Sequence, residues 1–226
     1  MNKRDLSLSP RIESTRDKQT TIVVNFSLME IKEHFEVNIS AINNQFDVAS
    51  NLQNVGRESD QKNIYRSQIV FLESAFDYYL HELNKYGLRQ ILAGNWAKTP
   101  KYNNLRIPMK QVEIGLQEPS AQEWFVEFIN EAYSRDVMTS HEYLKDQLNM
   151  LGINLAEVLS EVFPEEEKPQ QFIIDLYDRR NRIAHQTDRD HADATQTDIT
   201  EEYVKDCIAK VVKIVFALHN RANDKG

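Results

Sequence analysis

The chain has 226 residues and a formal net charge of −8, from 35 acidic and 27 basic side chains. Its length suits one domain with a single sizeable core, and its 41% of hydrophobic residues is typical of a soluble globular protein. The acidic balance argues against a protein that grips long nucleic acid through a basic surface, but it leaves room for a local basic site. A single cysteine, Cys207, excludes a disulfide framework or a cysteine zinc cluster within the chain.

The N-terminal segment is polar, which predicts a flexible tail over residues 1–25. Within this tail, the β-branched run 21–24 indicates a short strand. The segment lacks the apolar centre of a signal peptide, and nowhere does the chain approach the roughly 18 apolar residues of a membrane span. We therefore expect a cytoplasmic protein with no membrane partner, whose folded domain covers residues 26–222.

Glycine and proline are scarce, with six of each, which favours long helices and an all-α fold. Helix starts are indicated by a repeated pattern, in which a capping side chain is followed three residues later by glutamate. The pattern begins at Ser27, Ser120, Thr139, Asn154 and Asp198. With the apolar spacing it predicts helices over 28–54, 60–93, 120–134, 140–151, 154–162, 169–186 and 199–222. Residues 95–118, after the second long helix, are predicted to form an irregular insertion.

The second predicted helix has the clearest apolar face. Because successive helical residues advance by about 100°, seven apolar side chains fall on one side: Tyr65, Ile69, Leu72, Phe76, Tyr79, Leu80 and Leu83. A polar row flanks them, formed by Arg66, Glu73, Asp77, His81 and Asn84. Asp77 and His81 are four residues apart, so they can interact on the helix surface.

The helix predicted over 169–186 contains three arginines. On a helical wheel, Arg180 falls in the middle of an apolar arc that includes Leu176 and Ile183, whereas Arg179 and Arg182 fall on the opposite, solvated face. An arginine that points toward a core must be paired or line a wet cavity, because an isolated buried charge is very costly. The wheel therefore selects Arg180 as the arginine that ordinary packing does not explain.

The polar row of the second helix offers partners for Arg180 in two different interpretations. Glu73 or Asp77 could neutralise Arg180 in a buried ion pair, which would be a structural role. The same carboxylates could instead orient Arg180 and His185 around a phosphate. A loop after the helix also carries Asp188, Asp190, His191 and Asp193, and we interpret it as a solvated acidic loop rather than a metal site.

The six residues Arg-Asn-Arg-Ile-Ala-His, from Arg180 to His185, resemble the signature of the HEPN superfamily. That signature is an arginine, a polar residue, three further residues and a histidine. Residues 66–83 resemble the long second helix of the RiboL-PSP branch of this superfamily, and 178–190 followed by an amphipathic helix also fit that branch. The similarity covers residues 28–222, although 95–165 match only in being helical. In many HEPN toxins a tyrosine closely follows the histidine; here 186–188 are Gln-Thr-Asp, so no tyrosine role can be carried over.

The resemblance implies a HEPN-like helical bundle and a metal-independent endoribonuclease that uses no cofactor. It implies RNA as the substrate, a homodimer in which two motif helices form one cleft, and an antitoxin or sensor protein as a further partner in a bacterial anti-phage or toxin–antitoxin setting. In such a site the ribose 2′-OH attacks the adjacent phosphate and leaves a 2′,3′-cyclic phosphate. The implied catalytic residues are His185 as acid and base and Arg180 as the group that stabilises the phosphate.

Supporting or substrate-binding roles are expected for Asn181, Asp77, Glu73 and His81. Two other functions remain open: a catalytically inactive HEPN module that binds RNA, nucleotide or a partner protein, and a purely structural helical dimer in which an ion pair buries Arg180. Intact Arg180, Asn181 and His185 favour the nuclease over the inactive module. Trp96 and Trp124 are predicted to be packing anchors rather than base-stacking platforms.

Overall fold

The computed structural model describes residues 25–117, 123–133, 136–190 and 192–225. These residues form nine helices and no strand, so the predicted all-α class is confirmed for the described part of the chain. The tail over 1–24, its predicted strand and the helix start predicted at Ser120 lie outside the described residues. None of the described helices is long and apolar enough to cross a membrane.

The helix bounds agree with the predicted ones to within a few residues, except in the insertion. In chain order the helices are α1 Leu28–Asn54, α2 Glu58–Leu92, α3 Pro100–Asn103, α4 Met109–Gln117, α5 Glu123–Tyr133, α6 His141–Met150, α7 Leu155–Val162, α8 Gln171–Gln186 and α9 Glu201–Asn223. The insertion predicted as irregular holds α3 and α4. Its prolines do not break these helices, because Pro100 occupies the first helical position of α3 and Pro108 precedes α4.

The long helix α2 is the centre of the fold. A short turn joins it to α1, and Gly56 in that turn has a φ of 75°, a left-handed conformation that glycine adopts without strain. Along its length α2 contacts α1, α5, α8 and α9. All seven residues of its predicted apolar stripe are buried, which confirms that stripe as the core face.

The helix starts show which capping predictions hold. Ser27 and Glu30 form a reciprocal capping box at α1, as predicted. The prediction of Asp198 as the cap of the last helix was wrong, because Thr200 caps α9 instead. Asp198 is drawn away by a charged partner, with its Oδ1 lying 3.0 Å from Nζ of Lys62.

Two glycines let tryptophan rings pack against helices. A Cβ at Gly87 in α2 would lie 2.7 Å from the ring of Trp96, and one at Gly115 in α4 would lie 2.6 Å from the ring of Trp124. Trp96 is buried and Trp124 is half-buried. Both tryptophans are therefore packing anchors, as the sequence predicted.

Candidate active site

The motif predicted to carry the chemistry, Arg180 to His185, occupies the last two turns of α8. The helix is continuous through Gln186, so Arg180 and His185 are separated by about 140° around its axis and about 7.5 Å along it. Arg180 is half-buried, whereas His185 is exposed. Within one chain, these two positions face different directions.

Arg180 is held on one side by two neighbours. Its Nε lies 3.0 Å from Oε2 of Glu73 on α2, and its Nη1 donates a hydrogen bond of 2.9 Å to Oδ1 of Asn181. The Nε and Oε2 atoms are close but not aligned for a hydrogen bond, so their attraction is that of an ion pair. A guanidinium has five N–H donors. Among the residues that the structure describes, these contacts leave some donors of Arg180 available to bind an anion. Its side chain is 27% exposed.

Glu73 anchors this arrangement from inside the fold. It is 1% exposed, and the hydroxyl of Thr139 donates a hydrogen bond to its Oε1. The pKa of Glu73 is raised above its ordinary value. Burial is the main cause, and the charge of Asp77 adds to it. The hydrogen bond from Thr139 and the charge of Arg180 lower the pKa, but by less. Glu73 therefore connects Arg180 to the segment that precedes α6.

Asp77 and His81 make their contacts with a different part of the molecule. Oδ1 of Asp77 accepts a 2.7 Å hydrogen bond from the backbone N–H of Met138. Oδ2 of Asp77 lies 3.4 Å from Nε2 of His81, and the same ring nitrogen lies 3.1 Å from the carbonyl oxygen of Asp136. The interaction predicted between Asp77 and His81 is therefore present. Of the two carboxylates that could have paired with Arg180, Glu73 is its partner, and Asp77 holds the segment 136–138.

The placement of Arg179 on the solvated face of the helix was wrong. Arg179 is 7% exposed, and its Nη2 lies 2.7 Å from Oδ2 of Asp188 and 3.0 Å from the carbonyl oxygen of Asp198. Arg179 is seven residues after Phe172, which places it only about 20° from that residue on the wheel, so it borders the arc that includes the buried Ile173 and Leu176. It is buried because the loop after α8 folds back against that side of the helix. Arg182 is exposed, as predicted.

Arg66, Arg179 and Asp188 form a buried cluster that the sequence did not reveal. Asp188 is fully buried, and its Oδ2 also lies 3.0 Å from Nε of Arg66 on α2. The chain reaches this position through two residues with positive φ, Thr187 at 51° and Asp188 at 61°, which reverse its direction at the end of α8. Two arginines share one aspartate, so the cluster carries one excess positive charge. We call it the arginine cluster.

The sequence contains no local signal for the arginine cluster. Arg66 and Asp188 are 122 residues apart, and no local pattern connects them. Asp188 was grouped with the acidic loop, where the other described carboxylates form turns: Asp190 accepts a hydrogen bond from the N–H of Ala192, and Asp193 from that of Thr195. Among the described residues, no three potential ligands form a metal-binding group. His191 lies outside the described residues.

No protein-family model matches this chain, and neither a curated protein nor a solved structure matches it. The resemblance to HEPN proteins therefore depends on the residues themselves. The motif lies on one continuous helix, and that helix packs against the α2 helix that carries the polar row.

Proposed function

We propose that the chain is a metal-independent endoribonuclease of the HEPN type, acting in the cytoplasm in a bacterial anti-phage or toxin–antitoxin setting. The observation that carries this proposal is the state of Arg180. Its guanidinium is paired on one side by Glu73 and Asn181, but it remains 27% exposed with donors to spare. The exposed imidazole of His185 follows in the last turn of the same helix.

The residue types suit transesterification of RNA. An imidazole can take the proton of the ribose 2′-OH as that oxygen attacks the adjacent phosphorus, and it can return a proton to the departing 5′-oxygen. A guanidinium stays charged and stabilises the negative charge that develops on the phosphate oxygens. The products are one end with a 2′,3′-cyclic phosphate and one with a free 5′-hydroxyl. Arg180 and His185 supply these two roles.

A second copy of the chain would complete the site. Because Arg180 and His185 are about 140° apart on a straight helix, one copy does not direct both side chains at the same phosphate. Two α8 helices meeting across a two-fold axis would bring an arginine of one copy near a histidine of the other. The proposed active form is therefore a homodimer, with RNA in the cleft between the copies and an antitoxin or sensor protein as the further partner.

One observation favours a different function. The ion pair between Arg180 and Glu73, with Glu73 buried and bonded to Thr139, is also what a purely structural role for the arginine requires. A structural or catalytically inactive helical module is therefore the second candidate. The two candidates differ in whether RNA is cut.

Cleavage of varied RNAs in EDTA by the wild type, Arg180→Ala and His185→Ala tests the proposal. We expect the wild type to leave 2′,3′-cyclic phosphate ends and to leave a DNA strand of the same sequence uncut. His185→Ala should lower the rate by roughly 10²- to 10⁴-fold, the usual contribution of a general acid or base. A folded wild type that leaves all the RNAs intact, or cleavage that survives both substitutions, would contradict the nuclease and favour the second candidate.

A further inference from the structure

One face of α2 is left uncovered by the other described helices, although α2 is the central helix of the fold. Phe71 is 51% exposed on this face, and Tyr78 is 38% exposed. Ser74 lies between them and is also exposed. Large exposed rings on a central helix are uncommon, and a patch of this kind usually marks a binding surface.

The uncovered face is the floor of two adjoining clefts. The first, of about 420 Å³, lies between α2 and α1 and includes Asn38 and Gln45 in its lining. The second, of about 360 Å³, lies between α2 and the C-terminal end of α8, where Ala184 and Thr187 line it. Phe71 lines both clefts, so the two clefts adjoin at this residue. Both volumes lie in the range of small-molecule sites, roughly 300 to 1,000 Å³.

The lining of the clefts suits neutral aromatic rings. Among the residues that the structure describes, no carboxylate lines either cleft, although the chain has 35 acidic residues. Apart from Arg66, the polar side chains that line the clefts carry amides and hydroxyls, such as those of Gln45, Ser74 and Thr187, which can hydrogen-bond to the edges of bases. Unpaired bases are recognised in this way, by stacking on aromatic side chains and by hydrogen bonds to their exposed edges.

The charge beside the second cleft is complementary to a phosphodiester backbone. Arg66 lines this cleft and belongs to the arginine cluster, which has one excess positive charge because Asp188 is shared with Arg179. Arg182 is exposed on the same end of α8. The guanidinium of Arg66 is buried and bonded to Asp188, Asn63 and Thr197. The excess charge of the cluster and the exposed Arg182 therefore attract the phosphates of a strand whose bases occupy the clefts through a local positive potential, without direct contact to Arg66.

We infer that the uncovered face of α2, with Phe71 at its centre, binds unpaired bases of single-stranded RNA beside the cleavage motif. The inference rests on the proposed function, because it names the substrate class of that same site. The exposed part of the Phe71 side chain offers a stacking surface to a base bound in either cleft. Duplex RNA is excluded because its base faces are already stacked within the helix.

Binding of a fluorescent single strand with all its 2′-hydroxyls methylated tests this inference, since that strand cannot undergo the proposed cleavage. We expect Phe71→Ala to weaken binding roughly tenfold, in line with the loss of one base–aromatic contact. Phe71→Leu should weaken it similarly, because it keeps an apolar side chain but removes the ring, whereas Phe71→Trp should retain binding. The matched control is Val48→Ala, at an α1 position that is 50% exposed; it should bind like the wild type. A duplex of the same sequence should bind more weakly to the wild type than the single strand does.

Three results would overturn the inference: no binding by the folded wild type, equal binding by all four variants, or a preference for the duplex. The molecular mass of each variant in solution is measured in parallel. A change from dimer to monomer in Phe71→Ala would overturn the inference as well, because the face would then be an interface between copies. Failure of the proposed function gives a different pattern, in which unmodified RNA stays uncut while binding of the methylated strand still depends on Phe71.

Discussion

The two sides of the C-terminal end of α8 differ sharply, although neighbouring residues form them. On one side, Arg179 joins the arginine cluster, where it is 7% exposed and shares the fully buried Asp188 with Arg66. On the other side, Arg180 pairs with the buried Glu73 but keeps 27% of its side chain exposed. The first side is closed by protein, and the second remains open to an anion. The comparison teaches that two arginines in ion pairs on one helix can differ in whether an anion from solvent could reach them, and that the burial of the whole charged group decides this.

The energetic consequences of the two sides follow from their exposure. Removing one partner of a buried ion pair leaves an uncompensated charge that the fold cannot rehydrate. Arg180 can regain water when it loses its partner, because part of its side chain already faces solvent. The arginine cluster should therefore dominate stability, and Arg180 should matter mainly for function.

The largest effect is expected from Asp188→Asn. This change keeps the shape of the side chain but leaves Arg66 and Arg179 buried without their shared anion, which should lower the free energy of unfolding by about 3 to 5 kcal/mol. Denaturant unfolding measures it. The matched control is Asp190→Asn, an exposed carboxylate of the same loop, which should cost less than about 1 kcal/mol. Equal midpoints for the two variants would show that the arginine cluster does not hold the end of α8.

A smaller effect is expected from Glu73→Gln at neutral pH. Glutamine keeps an oxygen that can accept the hydrogen bond from Thr139, and it removes a carboxylate whose pKa is raised by burial. These gains offset the lost attraction to Arg180, so the free energy of unfolding should change by less than about 1 kcal/mol. Denaturant unfolding of Glu73→Gln and the wild type measures this change. A loss as large as that of Asp188→Asn would mean that both sides of α8 are structural.

The smallest effect is expected in the pH dependence of the difference in unfolding free energy between Glu73→Gln and the wild type. Because the pKa of Glu73 is raised in the folded state, its contribution to stability is fully present below its ordinary value of 4.5 and is lost as the pH rises through the raised pKa. The stability of Glu73→Gln relative to the wild type should therefore increase as the pH rises above 4.5. Unfolding of both proteins over a series of pH values measures this trend. A flat difference, or one that falls with pH, would contradict the raised pKa.

Much of the fold could be predicted because its helices and their buried faces follow from local sequence patterns. The apolar stripe of α2 from Tyr65 to Leu83 repeats at the helical period, and every one of its residues is buried. Ser27 and Glu30 lie three residues apart and form the predicted capping box. Such features depend on neighbours within a few positions, so the sequence specifies them directly.

The rest depended on contacts between distant residues. The sequence placed Arg179 in solvent because a helical wheel does not include contacts with other segments, such as the loop that turns back after Thr187. The partner of Asp188, Arg66, is 122 positions away. The choice of Glu73 over Asp77 was also open in the sequence, because it depends on Met138, whose N–H engages Asp77. In each case the outcome depended on a tertiary contact that local spacing does not encode.

The most direct test of the account compares RNA cleavage in EDTA by two variants of α8, Arg180→Ala and Arg182→Ala. Arg182 is exposed and lies two positions from Arg180 on the same helix, so it controls for the loss of one positive charge. We expect Arg180→Ala to lower the cleavage rate at least about 100-fold, as for other groups that stabilise a transition-state anion. Because this change also leaves the buried Glu73 without its partner, the rates are compared at a temperature at which circular dichroism shows both variants folded. Arg182→Ala should keep the rate within about threefold of the wild type. Equal rates for the two variants would contradict the claim that the open side of α8 carries the chemistry.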